Sequence, residues 1–322
     1  MKTDTGGPNA APHSIAPADL AGADMPAPPL PEPEKSLIGK GIGLLLIALL
    51  FFTLMDVAAK KLGQSYAPAM VIWARFAVNL ALVSLIFRGS FLKHARSRQP
   101  GLQLLRGAFQ MATVALFFLA IRSIGLAEAA ALTDLNPVLI TLGAALFLGE
   151  KIGPRRVAGI FVSFLGALII LRPGAGVMDP AALFALAAAF TYAGGALMTR
   201  VVRHDSTATS VIWSAGVGTA LSSLALPFFW QEVAPVDLPL FIAVGALGAA
   251  GQAALIVAFR HAPAGVLAPY GYLGLVLSSL WGWIFFAQLP DLYTVAGAAV
   301  IVLAGIWVWN AERRAALNAA AR

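Results

Sequence analysis

The sequence predicts an all-α, polytopic membrane protein whose ten transmembrane helices form two inverted repeats of five. Three observations predict this class. The 322-residue chain is 59% apolar and 11% charged, with a mean hydropathy of +0.82, whereas soluble domains carry about 25% charged residues. The chain also contains ten separate runs that are long and apolar enough to span a bilayer. Finally, its two halves repeat one another at a nearly constant offset in the numbering.

The internal repeat relates positions within Gly107–Arg172 to positions within Leu247–Asn310. A shift of 138 residues brings matching positions together without a gap, and a Trp-bearing triplet further upstream recurs at a shift of 140. Five crossings per half is an odd number, so the second half must enter the membrane from the opposite side. Inverted repeats of this kind build many secondary transporters, which place the substrate site where the repeats meet. The matching positions are Arg122/Arg260, Phe147/Phe285, Val157/Val295, Ala158/Ala296, Gly159/Gly297 and Val71-Ile72-Trp73/Val211-Ile212-Trp213.

The ten predicted spans are apolar runs of about 20 residues, the length needed to cross a bilayer. Five runs begin at or beside a proline, which costs no internal hydrogen bond at a helix start; these are Pro68, Pro154, Pro180, Pro239 and Pro263. Charged residues end others: Arg122 ends the third run, Glu150 the fourth and Arg260 the eighth. The sequence predicts spans over 41–61, 68–88, 104–122, 126–148, 155–172, 180–200, 208–230, 238–259, 264–287 and 291–310.

Lysine and arginine are distributed unevenly between the two sides that these spans define. If the N-terminus is cytoplasmic, 17 of them fall on the cytoplasmic side, 4 fall on the opposite side, and Arg75 lies within a span. Cytoplasmic loops carry the excess of Lys and Arg in membrane proteins. We therefore expect a multi-pass protein of the bacterial inner membrane with both termini in the cytoplasm. The net charge of +7 belongs to these loops and does not indicate a nucleic-acid partner.

The two ends of the chain differ in composition from the spans. The first 34 residues contain eight prolines and no apolar run, so residues 1–36 are predicted to be a disordered cytoplasmic tail. We expect the first repeat over residues 37–174, the second over residues 178–311 and a cytoplasmic C-terminal tail over residues 312–322. We expect the chain to act as a monomer in the lipid bilayer.

Three ionisable residues fall within the predicted spans. Asp56, Arg75 and Asp134 all lie in the outer half of the membrane, about 10 Å or less below its boundary at 1.5 Å per helical residue. Charges at this depth are costly and mark functional sites by default. They are candidates for holding a zwitterionic or polar solute, or for relaying a proton and coupling transport to it. A structural Asp56–Arg75 pair is the alternative, and Lys60 is expected to extend outward beside Asp56.

Two spans contain a proline together with polar residues near mid-membrane. Asn136-Pro137 interrupts the fourth span and Pro269 the ninth, and at the 138-residue shift Asp134 corresponds to Tyr272. Irregular backbone at membrane depth is tolerated where it lines a cavity, so a pseudo-symmetric central site is expected there. The candidate solute-binding residues are Gln110, Asn136, Tyr192, Gln252, Tyr270 and Tyr272.

Several classes of site have no support in the sequence. The chain contains no cysteine and no G-x-x-x-x-G-K-[ST] phosphate loop. Its four histidines are scattered over the tail and the loops, so neither a metal cluster nor a catalytic triad is indicated. We expect no cofactor, no metal and no enzymatic activity.

The sequence resembles the drug/metabolite transporter superfamily, specifically the ten-helix exporters and permeases with two EamA-type repeats. Four segments resemble the end of an EamA repeat: Gly125-Leu126-Ala127-Glu128-Ala129-Ala130-Ala131-Leu132, Asn136-Pro137, Leu148-Gly149-Glu150-Lys151-Ile152-Gly153 and Leu171-Arg172-Pro173. Two earlier segments resemble the start of an EamA repeat: Asp56-Val57-Ala58-Ala59-Lys60 and Trp73-Ala74-Arg75-Phe76. The second half departs from the pattern, with Gln288-Leu289-Pro290 in place of the usual Gly-Glu pair.

The resemblance implies a helical bundle with a central cavity that faces each side of the membrane in turn. It also implies a small organic solute such as an amino acid, a nucleoside, a vitamin or a related compound. Because aromatic and amide side chains outnumber charges among the candidates, amino acids or aromatic metabolites are favoured. The alternatives are an integral-membrane enzyme or a lipid-handling protein, and a scaffold without transport activity.

Overall fold

The computed structural model describes residues 35–149, 153–172, 179–202 and 205–320, and within these ranges every regular element is a helix. Residues 1–34 of the predicted N-terminal tail, which was expected over 1–36, lie outside the described residues, and α1 begins at Lys35. The last helix continues to Ala320, so it extends into the predicted C-terminal tail. The helices are α1 (Lys35–Ser65), α2 (Pro68–Ile86), α3 (Phe91–Ala95), α4 (Pro100–Ser123), α5 (Leu126–Thr133), α6 (Asn136–Leu148), α7 (Pro154–Leu171), α8 (Ala181–Val201), α9 (Thr207–Phe229), α10 (Leu238–His261), α11 (Ala264–Gly271), α12 (Leu273–Phe286) and α13 (Leu292–Ala320).

Nine stretches of the described residues are long and apolar enough to cross a membrane. The fourth of them combines α5 and α6, which are separated by a single turn at Asp134 and Leu135. The predicted ninth span is present as α11 and α12, which meet at Tyr272 and are each shorter than a full crossing. Pro137 and Pro269 lie beside these two breaks, since proline cannot donate its amide to the helix ladder. The all-helical, two-repeat fold class is confirmed, with two of its ten crossings broken near their middle.

The main contacts between the long helices recur when the two halves are exchanged. Helix α1 packs on α10, and its counterpart α8 packs on α4. The equivalent helices α2 and α9 pack on each other, as do α7 and α13. This pattern is that of a two-fold relation between the halves. With five crossings per half, the two-fold axis lies in the membrane plane and the second repeat is inverted.

Close helix pairs use glycine where their backbones meet. A Cβ atom added to Gly166 of α7 would lie 2.8 Å from the carbonyl oxygen of Gly297 on α13. A Cβ atom at Gly297 would lie 2.5 Å from the carbonyl oxygen of Gly166. Small residues permit this approach, which strengthens van der Waals packing between helices in lipid. The pair α7–α13 thereby joins the last helices of the two repeats.

The two ends of the bundle are packed differently. Near the loops at 124–125 and 287–291, α5 packs on α12, and Leu126, Leu132 and Leu135 are at most 2% exposed. We call this the sealed end. Toward the opposite end, at the loops 87–99 and 262–263, α6 packs on α7 and α8, whereas α11 packs on α1. We call this the open end, because α6 and α11 have separate partners there and leave space between them.

Lys60 closes the sealed end from within. It is only 2% exposed, and its Nζ donates hydrogen bonds of 2.6 Å to the carbonyl oxygens of both Ile121 and Ile124. The Nζ also lies 5.4 Å from the centroid of the Phe286 ring. The expectation that Lys60 extends outward was wrong, because the last carbonyls of α4 lack helical partners and attract a cation. The lysine ties α1 to α4 and to α12, which belongs to the other repeat.

Replacing Lys60 by Met should lower the melting temperature of the purified protein. Methionine keeps most of the volume but leaves two carbonyl groups without their donor, at about 1–3 kcal/mol each. Loss of a buried charge offsets part of this cost. The neighbouring Lys61 is exposed, so Lys61→Met is the matched control and should melt as the wild type does. Equal melting temperatures for Lys60→Met and Lys61→Met in detergent would show that the Lys60 contacts stabilise nothing.

Candidate functional site

The larger of two neighbouring cavities has a volume of about 690 Å³ and lies between α1, α4, α8 and α10. We call it the main cavity. Its walls are mostly apolar, with Phe52 and Phe117 among the aromatic contributors. Six of the nine side chains that the sequence singled out line it together: Asp56, Arg75, Gln110, Asn136, Tyr192 and Gln252.

A second cavity of about 510 Å³ lies between α6, α7, α11 and α13. We call it the side chamber. It contains two further predicted residues, Asp134 and Tyr272. Asn136, Tyr192 and Gly271 line both cavities. The main cavity and the side chamber therefore meet at the breaks in the two discontinuous spans, where the sequence predicted a pseudo-symmetric site.

Tyr270 is the one predicted site residue that lines neither cavity. Its side chain is 37% exposed, whereas Tyr272 faces the side chamber and its hydroxyl occupies the space beside Gly305 of α13. Side chains two positions apart do not share a helix face, so Tyr270 and Tyr272 cannot both point inward. The assignment of Tyr270 as a solute contact therefore stays a prediction that neither cavity supports.

Arg75 lies in the wall of the main cavity with its guanidinium group held against α10. The residue is 7% exposed, and its Nε and Nη1 are buried without a hydrogen-bond partner. A Cβ atom on Gly248 would lie 2.7 Å from the guanidinium carbon of Arg75 and 3.0 Å from Sδ of Met55. Glycine at this position of α10 therefore makes room for the arginine. Buried donors without partners are costly.

Asp56 faces the same cavity and interacts electrostatically with Arg75. Within the described part of the chain, neither a hydrogen bond nor an ion pair joins the two side chains. The structural Asp56–Arg75 pair that the sequence left open is therefore not formed. One acidic and one basic group therefore face the main cavity without a direct contact between them.

Arg106 also lines the main cavity, toward the open end, although the sequence analysis counted it only among the Lys and Arg residues of the cytoplasmic side. Its Nε donates a 2.8 Å hydrogen bond to Oγ1 of Thr199, and its Nη1 donates to the carbonyl oxygen of Ser210 at 3.0 Å and to Oγ of Ser214 at 2.6 Å. These bonds tie α4 to α8 and α9. The spacing of four residues between Arg106 and Gln110 was the available signal, because such residues share a helix face.

A polar clamp joins the two repeats at the open end, outside the spans. Asp205 accepts hydrogen bonds from the Ser97 hydroxyl, from the Arg98 amide at 2.9 Å and from Nε2 of Gln103 at 2.9 Å. Burial opposes the charge of Asp205, but these bonds and the nearby Arg98 outweigh it and hold the pKa of the carboxyl group below its usual value. The clamp therefore persists at neutral pH and keeps the 87–99 loop against the second repeat.

The described residues contain no group of three or more His, Cys, Asp or Glu side chains placed to hold a metal ion. The polar groups of the main cavity include one guanidinium group with buried donors that have no partner, one carboxylate, three amides and a phenol. Such a set binds and orients a polar solute by hydrogen bonds and charge. Mostly apolar pockets with a few placed polar groups are typical of small-molecule sites.

Comparison with known proteins places the chain among carriers. A protein named "Pseudopaline exporter CntI" from Pseudomonas aeruginosa is 33% identical over 279 residues, which covers 84% of this chain and 96% of that protein. A "Riboflavin transporter" from Rhizobium johnstonii is 29% identical over 290 residues, covering 88% and 94% of the two chains. An "S-adenosylmethionine uptake transporter" from Rickettsia bellii is 27% identical over 277 residues, covering 85% and 95%.

The fold is shared with a solved structure as well. One crystal structure aligns with 86% of this chain and 98% of its own, with a TM-score of 0.60 at 22% identity. The family model described as "EamA-like transporter family" matches residues 39–172 and again residues 179–310. The chain therefore belongs to the EamA-like transporter family, and its resemblance to the drug/metabolite transporter superfamily is confirmed.

Proposed function

We propose that this chain is a secondary transporter for a small zwitterionic metabolite, an amino acid or an amino-acid-like compound. The observation that carries the proposal is the pair of unpaired charges, Asp56 and Arg75, in one cavity. The relatives are named for the movement of small organic solutes, which supports a solute of this size. None of the observations favours an integral-membrane enzyme or a lipid-handling protein.

The charges in the main cavity match the two ends of an amino-acid group. A guanidinium group donates charged hydrogen bonds to a carboxylate, and Nε and Nη1 of Arg75, on different edges of the group, are each buried without a partner. Asp56 would receive the ammonium group of the same solute. Gln110 and Gln252 offer neutral donors and acceptors, and Tyr192 offers an aromatic face. The cavity volume of about 690 Å³ falls in the range of small-molecule sites, about 300–1,000 Å³.

The unequal ends of the bundle support alternating access. The sealed end is held by the packing of α5 on α12 and by the bonds of Lys60 to α4. Toward the open end, the helices that continue these two spans have different partners. Movement of one repeat against the other would exchange the two arrangements around a fixed central site. The contacts of Lys60 must then be released each time the sealed end opens.

We also propose how the bundle is oriented in the membrane. The excess of Lys and Arg supports cytoplasmic termini in a bacterial inner membrane. The open end of the bundle would then face the cytoplasm, and the sealed end the periplasm. Because one chain supplies all the walls of the main cavity, we propose that it works as a monomer.

Replacing Arg75 by Gln tests the solute class. Purified wild-type protein should melt at a higher temperature in the presence of one or more amino acids, because a ligand of the folded state stabilises it. The corresponding amino-acid amides, which lack the carboxylate, should have a much weaker effect. Arg75→Gln should weaken amino-acid binding roughly tenfold or more, since a charged hydrogen bond contributes about 1.5–3 kcal/mol, and should abolish counterflow in proteoliposomes.

Arg122→Gln provides the control for Arg75→Gln, because Arg122 is exposed at the end of α4. It should bind and transport as the wild type does. Normal counterflow by a folded Arg75→Gln variant would remove Arg75 from the site. Equal stabilisation by amino acids and by their amides would exclude a carboxylate as the recognised group.

Gly248→Ala should impair transport through Arg75 without unfolding the protein. The added methyl group would occupy the position of the guanidinium group, which is the far end of a flexible side chain and can move aside. Gly274→Ala is the control, since its Cβ would meet Leu49 Cδ2 at an ordinary 3.4 Å. Measured affinities should fall at least severalfold for Gly248→Ala and stay constant for Gly274→Ala. Unchanged affinity in Gly248→Ala would show that the position of Arg75 does not control binding.

We further propose that Asp56 couples transport to protons. If a proton and the ammonium group of the solute compete for this carboxylate, they occupy the carrier in turn and move in opposite directions. A pH gradient across proteoliposomes should drive solute movement in the wild type and in Glu232→Gln, a change in an exposed loop. Asp56→Asn should abolish the response to the gradient. A full response in Asp56→Asn would assign proton coupling to another group or exclude it.

A further inference from the structure

We propose that the side chamber binds a sodium ion through the side-chain oxygens of Asp134, Asn136 and Ser163. All three residues line this one cavity. In each of them an oxygen atom is buried and has no hydrogen-bond partner: Oδ2 of Asp134, Oδ1 of Asn136 and Oγ of Ser163. The proposal does not depend on which solute binds in the main cavity, and Asn136 is the one proposed ligand that lines both cavities.

Asp134 provides the charge of the proposed site. A carboxylate in a membrane span is costly unless a cation or a hydrogen-bond donor compensates it. In the described part of the chain, no ion pair with Asp134 is formed, and no donor reaches its Oδ2. A single carboxylate matches a monovalent ion, whereas divalent sites usually collect several carboxylates.

Ser163 and Asn136 provide neutral oxygens beside that charge. Ser163 is fully buried on α7, with 0% exposure, although its hydroxyl has no partner. By contrast, the hydroxyl of Thr141 lines the same chamber and donates to the carbonyl oxygen of Pro137 at 2.8 Å. Oxygen ligands of this kind suit hard cations. The difference between Ser163 and Thr141 shows that the unsatisfied oxygens are specific to one part of the chamber.

The helix break at Asp134 adds an electrostatic preference for a cation. Asp134 is the C-terminal cap of α5, and the C-terminal end of a helix carries partial negative charge. In transporters with discontinuous helices, such half-helix ends coordinate Na⁺ or H⁺. Helix α6 begins next, but Pro137 in its first turn has no amide hydrogen to direct at the ion.

The other charged residue in the chamber wall is Arg156. It lies at the beginning of α7, seven residues before Ser163, which corresponds to about 10 Å along the helix axis. Arg156 is therefore near the open end, and Asp134 and Ser163 are deeper in the bundle. The separation leaves the inner part of the chamber with a negative charge.

The test measures thermal unfolding of the full-length protein in detergent at constant chloride and ionic strength, with NaCl exchanged for choline chloride. Sodium should raise the melting temperature of the wild type in a saturable way, since it binds the folded state. KCl should have a smaller effect at equal concentration. Asp134→Asn should lose the sodium response, and Ser163→Ala should shift it to at least severalfold higher concentrations.

Two variants serve as controls. Thr141→Val changes a hydroxyl in the same chamber that already has a partner, and Asp56→Asn removes a carboxylate from the main cavity; both should keep the sodium response. The proposal is overturned if the wild type melts at the same temperature in NaCl and choline chloride, or if sodium and potassium act equally. It is also overturned if Asp134→Asn responds to sodium normally. A melting temperature that depends on pH alone would place a proton, not sodium, on Asp134.

Discussion

Every polar group that enters the bilayer must find a partner in the protein, in water or on a ligand, and this requirement organises the whole molecule. Lys60 meets it with two carbonyl oxygens of α4 and so seals one end of the bundle. Arg106 meets it with hydroxyl and carbonyl groups of α8 and α9. Arg75 and Asp134 do not meet it within the protein, because each has buried polar atoms without a partner. The difference separates the charges that hold the bundle together from those that we propose to bind a ligand.

The two-fold relation between the repeats explains why the unsatisfied groups are concentrated in one region. The helix breaks at Asp134 and Tyr272 are equivalent in the two halves, and the axis brings them to the wall of one chamber. A helix break in only one repeat would expose backbone groups on one side of the interface between the two repeats. Breaking both creates a lined space between α6 and α11, at the open end, while α5 and α12 stay packed at the sealed end. The same symmetry allows the arrangement to be reversed.

The sequence predicted which residues are unusual better than it predicted where they point. Asp56, Arg75 and Asp134 stand out because they are charged within apolar runs, and all three line a cavity. The direction of Lys60 was missed because its partners are main-chain carbonyls of α4, 61 and 64 residues away, which leave no mark in the sequence. Tyr270 was included because it neighbours Pro269, although its spacing from Tyr272 already excluded a shared face. The position of Arg106 in the cavity wall was missed because this residue was counted with the other basic residues of the cytoplasmic side.

Asn136 connects the two parts of the proposed mechanism. It lines both the main cavity and the side chamber, and its side-chain oxygen has no partner within the protein. An ion that engages this oxygen in the side chamber would fix the orientation of the amide, which leaves its NH₂ group for an acceptor in the main cavity. Ion and solute would then each favour the binding of the other, because coupling free energies between two sites are reciprocal. With Asn136 replaced by Ala, sodium should bind more weakly because one of its three ligands is lost, and the affinity for one ligand should no longer depend on the other.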